Sequence, residues 1–198
     1  MAKVKDNVMV MGFSGTIGKQ LTFRQIGGET FVSNYQKVPA VPATEKKLAA
    51  QARFGIATAY ARRAVKDPEL KAIYQAFVKG GQRAFNIAMR DALNAPVVES
   101  IQAENYQGHV SDQIIVRATD DFKVAAVVVS IYNQAGDLIE EGNATIQKDD
   151  EMKWLYKVQQ ENAELAGSKI IAVATDLPGN TGSLSLIAEL IQTNLPSE

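Results

Sequence analysis

The pattern of apolar residues changes period at Asn94-Ala95-Pro96, and this change limits the folds open to the chain more than any other feature. Ahead of it, apolar side chains recur at helical spacing behind a glycine-rich hairpin. Beyond it, only short alternating runs remain, separated by turn residues. The charge changes sign at the same place. Residues 1–96 hold 15 Lys+Arg against 6 Asp+Glu, and residues 97–198 hold 6 against 16. The net charge of −1 conceals this polarity. Two modules with different partners, or one that docks on its counterpart in another copy, would both carry such a split.

The first module opens with glycines at every third position, Gly12, Gly15 and Gly18. An alternating run follows, with Leu21, Phe23 and Gln25 on one face and Thr22, Arg24 and Ile26 on the other. Gly27-Gly28 is a hairpin turn signal, and Thr30 to Tyr35 is the returning strand. Val38-Pro39-Ala40-Val41-Pro42 reads as an extended connector, because proline removes the amide donor a helix needs.

Thr44 is placed to cap a helix running to about Val65, with Leu48, Ala52, Ile56 and Ala59 as a small-residue stripe suited to close helix contact. Asp67-Pro68 starts a second helix, an N-cap carboxylate followed by a residue that lacks the unneeded N–H. Its apolar face is Leu70, Ile73, Tyr74, Phe77 and Val78, and Gly80-Gly81 ends it. A third helix over about 82–93 presents Phe85, Ala88, Met89 and Ala92, with Asn94 and Pro96 closing it.

Beyond Pro96, strands are predicted at 97–105, 111–118, 124–132, 138–146, 153–159, 168–175 and 182–188. Seven strands in about a hundred residues fit a β-sandwich. Trp154 and Tyr156 alternate with Leu155, which assigns the tryptophan to the sandwich core.

Chemistry-bearing patterns are sparse. The absence of cysteine excludes disulfides, thiolate metal sites and cysteine nucleophiles. His109 is the lone histidine and reads as an exposed loop residue. Gly12 to Gly18-Lys19 departs from a phosphate loop, with five intervening residues and Gln20 after the lysine. Asp120, Asp121 and Asp176, with Asp149, Asp150 and Glu151, are turn carboxylates for which calcium is the minor reading. No metal, cofactor or catalytic residue is assigned, and an enzyme is not expected. The start of the sequence lacks a signal peptide's apolar core, and no stretch is long enough to span a membrane. The expectation is a protein made in the cytoplasm, with no membrane partner.

The stretches Ala118-Thr119-Asp120-Asp121-Phe122-Lys123-Val124, Val127-Val128-Val129-Ser130-Ile131 and Gly136-Asp137-Leu138-Ile139-Glu140-Glu141-Gly142 resemble bacterial immunoglobulin-like domains. So do Trp154-Leu155-Tyr156 and Ala172-Val173-Ala174-Thr175-Asp176-Leu177-Pro178-Gly179-Asn180. The resemblance covers about 97–192 and implies an immunoglobulin-like sandwich, a fold that hosts many activities. Gly15, Gly18, Thr44, Gln51, Arg53, Phe54, Ala84, Phe85 and Asn86 are similar to positions in uncharacterised Bacteroidetes and phage proteins. That similarity implies a virion or assembly protein.

The sequence thus reads as α+β, with a basic hairpin-plus-three-helix module over 1–96 and an acidic immunoglobulin-like sandwich over 97–198. The expected function is that of a non-enzymatic structural protein, an auxiliary component of a phage capsid or similar assembly, with protein partners that include copies of itself. Arg53, Arg62, Arg63, Lys66, Lys71, Arg83 and Arg90 are the expected partner-binding residues. Gly12, Gly15, Gly18, Gly27 and Gly28 are the expected hairpin contact. The alternative is a nucleic-acid-binding protein whose basic helices contact phosphates without reading sequence. A further option pairs the basic helices with the acidic sandwich of another copy.

Overall fold

A computed structural model describes residues 1–5, 7–37 and 42–188. The connector read at Val38–Pro42 lies, except for Pro42, outside these residues. The fold is mixed α+β and mostly β, with three helices and three four-stranded antiparallel sheets among the described residues. It divides into two compact units, Met1–Glu45 and Lys46–Glu198. The change of period at Pro96 falls inside the second unit.

The first unit is one sheet. Its strands are β1 (Ala2–Lys3), β2 (Gly15–Ile17), β3 (Leu21–Ile26) and β4 (Glu29–Asn34), in spatial order β1-β4-β3-β2. The hairpin expected from Gly27-Gly28 is β3–β4, with Ile26 opposite Glu29. Both glycines have positive φ, +59° and +82°, as a two-residue turn of matching twist requires. Two strands flank the hairpin that sequence alternation did not mark, because β1 and β2 are only two and three residues long.

The second unit begins with α1 (Glu45–Ala64), α2 (Pro68–Ala76) and α3 (Ala84–Asp91). Asp67 caps α2 as expected, its Oδ1 accepting from the Glu69 and Leu70 amides at 2.9 and 3.1 Å. The stripe expected to bury α1 is corrected by the structure. Leu48, Ala52, Ile56 and Ala59 are exposed, and the buried residues are Ala57, Ala61 and Ala64. Only the C-terminal end of α1 reaches the other helices, where alanines permit close approach.

Eight strands follow: β5 (Val97–Gln102), β6 (Gln113–Thr119), β7 (Val124–Tyr132), β8 (Leu138–Asn143), β9 (Thr145–Ile146), β10 (Lys153–Lys157), β11 (Lys169–Asp176) and β12 (Thr181–Ile187). They form two sheets, β5-β6-β10-β9 and β12-β11-β7-β8. The run expected as one strand over 138–146 is two. Ala144 is buried between them, and the chain changes sheets there, β8 pairing with β7 and β9 with β10.

Alternation along β6, β7, β10 and β11 sends every second side chain inward. Ile114, Val116, Val127, Val129, Ile131, Trp154, Tyr156, Ile170, Ala172 and Ala174 make one core shared by both sheets. Each large aliphatic side chain buried here contributes roughly 1.5–3 kcal/mol. A smaller cluster joins the helices to the end of this sandwich. Ala61, Ala64, Tyr74, Ala84, Ile87 and Ala88 pack with Phe122 of the β6–β7 turn and Leu177 of the β11–β12 turn. Among the described residues no helix is long and apolar enough to cross a membrane.

The two sheets also close on each other where β5 starts. A Cβ at Gly182 in β12 would fall on the carbonyl of Pro96. Gly182→Ala is therefore expected to destabilise the protein by about 1–3 kcal/mol, the usual cost of overpacking, as measured by chemical denaturation. An unchanged midpoint would show that β5 and β12 part freely.

Candidate interaction surface

Residues 46–95 hold ten Lys/Arg and three Asp/Glu, so the helices carry most of the chain's positive charge. Arg53, Arg62, Arg63, Lys66, Lys71, Arg83 and Arg90 are all exposed. Arg62 and Arg63 fall in the last turn of α1, where cations favour the helix dipole. Lys66 and Lys71 line an open groove with Val65, Pro68, Ala72 and Gln75. Arg83 holds the N-cap position of α3 without a side-chain capping bond, and Arg90 lies in its last turn. Arg53 alone of the seven is tied down, its Nη2 donating to the Leu93 carbonyl at 2.9 Å. The ion pairs among the described residues are Lys3–Glu29, Arg117 with Glu99 and Asp150, and Lys153–Asp150. None of these pairs involves Arg53, Arg62, Arg63, Lys66, Lys71, Arg83 or Arg90.

The expected hairpin residues belong to the first unit. Gly12, Gly15, Gly18, Gly27 and Gly28 all have positive φ, and a Cβ at each would meet open space. Gly12 donates its amide to Thr30 Oγ1 at 3.0 Å, and Gln25 Nε2 also donates to that hydroxyl, at 2.7 Å. The glycines serve the turns of the sheet itself.

A buried polar cluster lies where the helices meet the sandwich, and sequence reading did not single it out. The hydroxyls of Tyr60 and Tyr74 are 2.9 Å apart, and Tyr74 donates in turn to Asp91 Oδ2. Asp91 is only 1% exposed, and its Oδ1 has no hydrogen-bond donor. Burial pushes the Asp91 carboxyl up to about 7, against the pull of the Tyr74 hydrogen bond and helped by Asp120 and Asp176. Asp176 is raised as well, mainly by burial. Its oxygens accept from the Gly179 and Asn180 amides and from Asn180 Nδ2 at 2.6–2.7 Å. Asn180 Nδ2 also reaches the carbonyls of Asp91 and Asn94, which joins the β11–β12 turn to the end of α3. The signal for Asp91 was available: it falls at i+7 from Ala84 on the stripe that continues through Ile87 and Ala88, a carboxylate on the apolar face.

The turn carboxylates have ordinary local roles. Asp120 Oδ2 accepts from the Phe122 and Lys123 amides, and Asp150 holds Arg117 and the Met152 amide. Among the described residues no group of three or more His, Cys, Asp or Glu is arranged to hold a metal ion. His109 is exposed in a loop, its amide bonded to Asp112.

No protein family and no curated protein matches the chain. Solved structures are similar to about half of it. A tetra-tandem repeat from the extending region of a large adhesion protein has 17% identity and a TM-score of 0.37, over 47% of this chain and 24% of that one. CopC from Methylosinus trichosporium OB3b has 15% identity and a TM-score of 0.34, over 46% and 87%. A β-glucuronidase from Bifidobacterium dentium has 17% identity and a TM-score of 0.27, over 48% and 17%. The chain thus spans under a quarter of the adhesion-protein chain. None of these likenesses bears on function.

Asp91 sets an expected pH dependence. Its carboxyl keeps a proton in the folded state up to about pH 7, whereas the unfolded chain releases it at the ordinary carboxylate pH. Stability contributed by the protonated form is therefore present at low pH and lost as pH rises toward 7, on the order of a few kcal/mol. Asp91→Asn keeps an acceptor for Tyr74 and removes the titration. Its melting temperature should fall less than the wild type's between about pH 5 and pH 8. Equal slopes for the two proteins would show that Asp91 is ionised throughout.

Proposed function

We propose that this chain is a non-enzymatic structural or interaction protein that works inside a larger assembly, of which an auxiliary position in a phage virion is one form. In this reading the two sheets of the second unit, with their acidic loops, are an immunoglobulin-like sandwich serving as a rigid body, and the first unit and the helices are the contact surfaces.

The observation that carries the reading is the first unit's lack of a core. Among its described residues only Phe23 and Thr30 are buried. Val8, Met9, Met11, Phe13, Ile17, Leu21 and Ile26 are exposed. Units this small bury too little surface to be stable alone, and usually need a metal, disulfides or a partner. Cysteine is absent, which leaves association as the means of covering these side chains. The exposed start of α1, with Leu48, Phe54 and Ile56, has the same need. Exposed apolar surface on this scale marks contact sites.

A second reading has its own observation. Arg62, Arg63, Lys66, Lys71, Arg83 and Arg90 are exposed along the helical region, as befits a surface for nucleic-acid phosphates.

Light scattering on the full chain after gel filtration, in low and molar salt, with and without duplex DNA, separates the two. Assembly predicts a mass well above the single-chain 21.5 kDa that survives molar salt, since apolar contacts are not screened. Ile17→Asp combined with Leu21→Asp should return that salt-resistant species to single-chain mass while the melt of the second unit stays unchanged. A shift only with DNA, lost in salt, would establish the nucleic-acid reading instead. Single-chain mass in every arm would overturn both.

A further inference from the structure

The antiparallel topology of the second unit sorts its connections to two opposite ends. The turns 120–123 and 177–180 lie at the end where the helices pack, through Phe122 and Leu177. The loops 103–112, 133–137 and 158–168 lie at the other end. These three loops hold Glu104, Asp112, Asp137, Glu161 and Glu164 and no lysine or arginine. One end of this unit is therefore dominated by helices rich in cations, and the loops of the far end are acidic, with Lys157 and Lys169 at the strand ends beside them.

The far loops form a single surface. The Asn162 amide donates to the Gly108 carbonyl at 2.8 Å, and its Nδ2 donates to Tyr106 Oη and Ser168 Oγ at 3.0 and 2.9 Å. Ser111 and Asp112 exchange backbone hydrogen bonds with Val158. A Cβ at Gly167 would lie 3.1 Å from Gln134, so the third loop abuts the other two. Glu104, Glu161 and Glu164 stand exposed on this surface, with no ion pair among the described residues. Val110 is exposed among them, and Phe77 and Ile73 are exposed on the helical end. The far end thus offers exposed carboxylates and Val110, and the helical end offers exposed cations with Ile73 and Phe77.

We propose that the second unit of one copy docks end to end on that of the next, the cations around Arg62, Arg63 and Lys66 meeting the carboxylates Glu104, Glu161 and Glu164. The proposal rests on the reading of the chain as an assembly protein and names its partner as a second copy of this chain. The contact joins two different surfaces, so it propagates in one direction as an open row or closes as a ring. Its attraction is electrostatic and acts through solvent-exposed groups, so salt weakens it.

The experiment is a charge exchange on the full chain, read by sedimentation velocity in low salt. Ile17→Asp and Leu21→Asp are built into every protein, so that contacts through the first unit do not mask the result. The parent should associate in low salt and come apart in molar salt. Arg62→Glu with Arg63→Glu, and separately Glu161→Lys with Glu164→Lys, should each weaken association at least tenfold. The two reversed proteins mixed together, or both reversals in one chain, should restore it. Circular dichroism of each variant checks that the fold is intact. Association indifferent to salt and to both reversals would overturn the end-to-end contact and leave the assembly reading standing. Loss without recovery in the mixture and in the combined variant would overturn it too. A parent at single-chain mass in low salt, or one that gains mass only with DNA, would refute the contact outright. The assembly reading is decided separately by the salt-resistant species of the unmodified chain.

Discussion

Phe122 is the residue on which the second unit depends. It projects from the β6–β7 turn and meets two rings of α2, with centroids 4.7 Å from Tyr74 and 4.8 Å from Phe77. Aromatic pairs at this distance add roughly 0.5–1.5 kcal/mol each beyond the area they bury. Three short or half-buried helices have little to hold them otherwise. The turn of the sandwich adds an anchor to the contacts that the helices make among themselves through Ala61, Tyr74 and Ala88. Leu177 repeats the arrangement from the β11–β12 turn. The helices are therefore packed on the end of the sandwich, although composition and charge both separate them from it.

The same junction explains why a carboxylate is tolerated there. Asp91 faces inward because α3 has Ala84, Ile87 and Ala88 on the same stripe, and the chain after α3 must turn at once into β5. An ionised carboxylate in that place would be costly to desolvate. Two tyrosine hydroxyls and a held proton reduce the cost, and the Tyr60 and Tyr74 hydroxyls are themselves raised by burial. Buried polar groups with one incomplete bond often mark the place where a fold was made specific at some expense in stability.

The elements that were legible in the sequence are those whose period is repeated and whose ends carry a physical stop. The strands β7 and β11 and the helix α2 stand close to where alternation, Asp67-Pro68 and the turn residues place them. The hairpin over Gly27-Gly28 was equally readable. What failed was the assignment of faces on α1. A helix of 20 residues with alanine on several sides has no dominant apolar stripe, so periodicity does not say which side is covered. The seam at Ala144 was hidden for a different reason: a strand that changes sheets keeps its alternation while changing its partner. Of the candidate surface, the cations were readable as a charge excess. The place of Asp91 on the apolar stripe of α3 was readable too, but its role was not, because that role appears only once Phe122, Asp176 and Asn180 are brought from distant parts of the chain to the end of α3.

A net charge of −1 leaves almost no monopole to keep copies apart. Many soluble proteins rely on that repulsion, and near neutrality association is opposed only weakly. In such a molecule the arrangement of charge decides what happens at close range. Fields from exposed groups extend about a Debye length, roughly 8–10 Å at moderate ionic strength. That reach is shorter than a β-sandwich is long, so each end acts on a neighbour almost independently of the other. In the proposed end-to-end contact, a copy approaching the acidic loops with its helices first would be attracted, and one approaching with its own acidic loops would be repelled. Under that proposal, orientation would be selected before any apolar side chain touches. The exposed residues of the first unit carry no comparable polarity, so in the proposed assembly charge at the two ends of the second unit would set direction, and apolar contact through the first unit would supply persistence in salt.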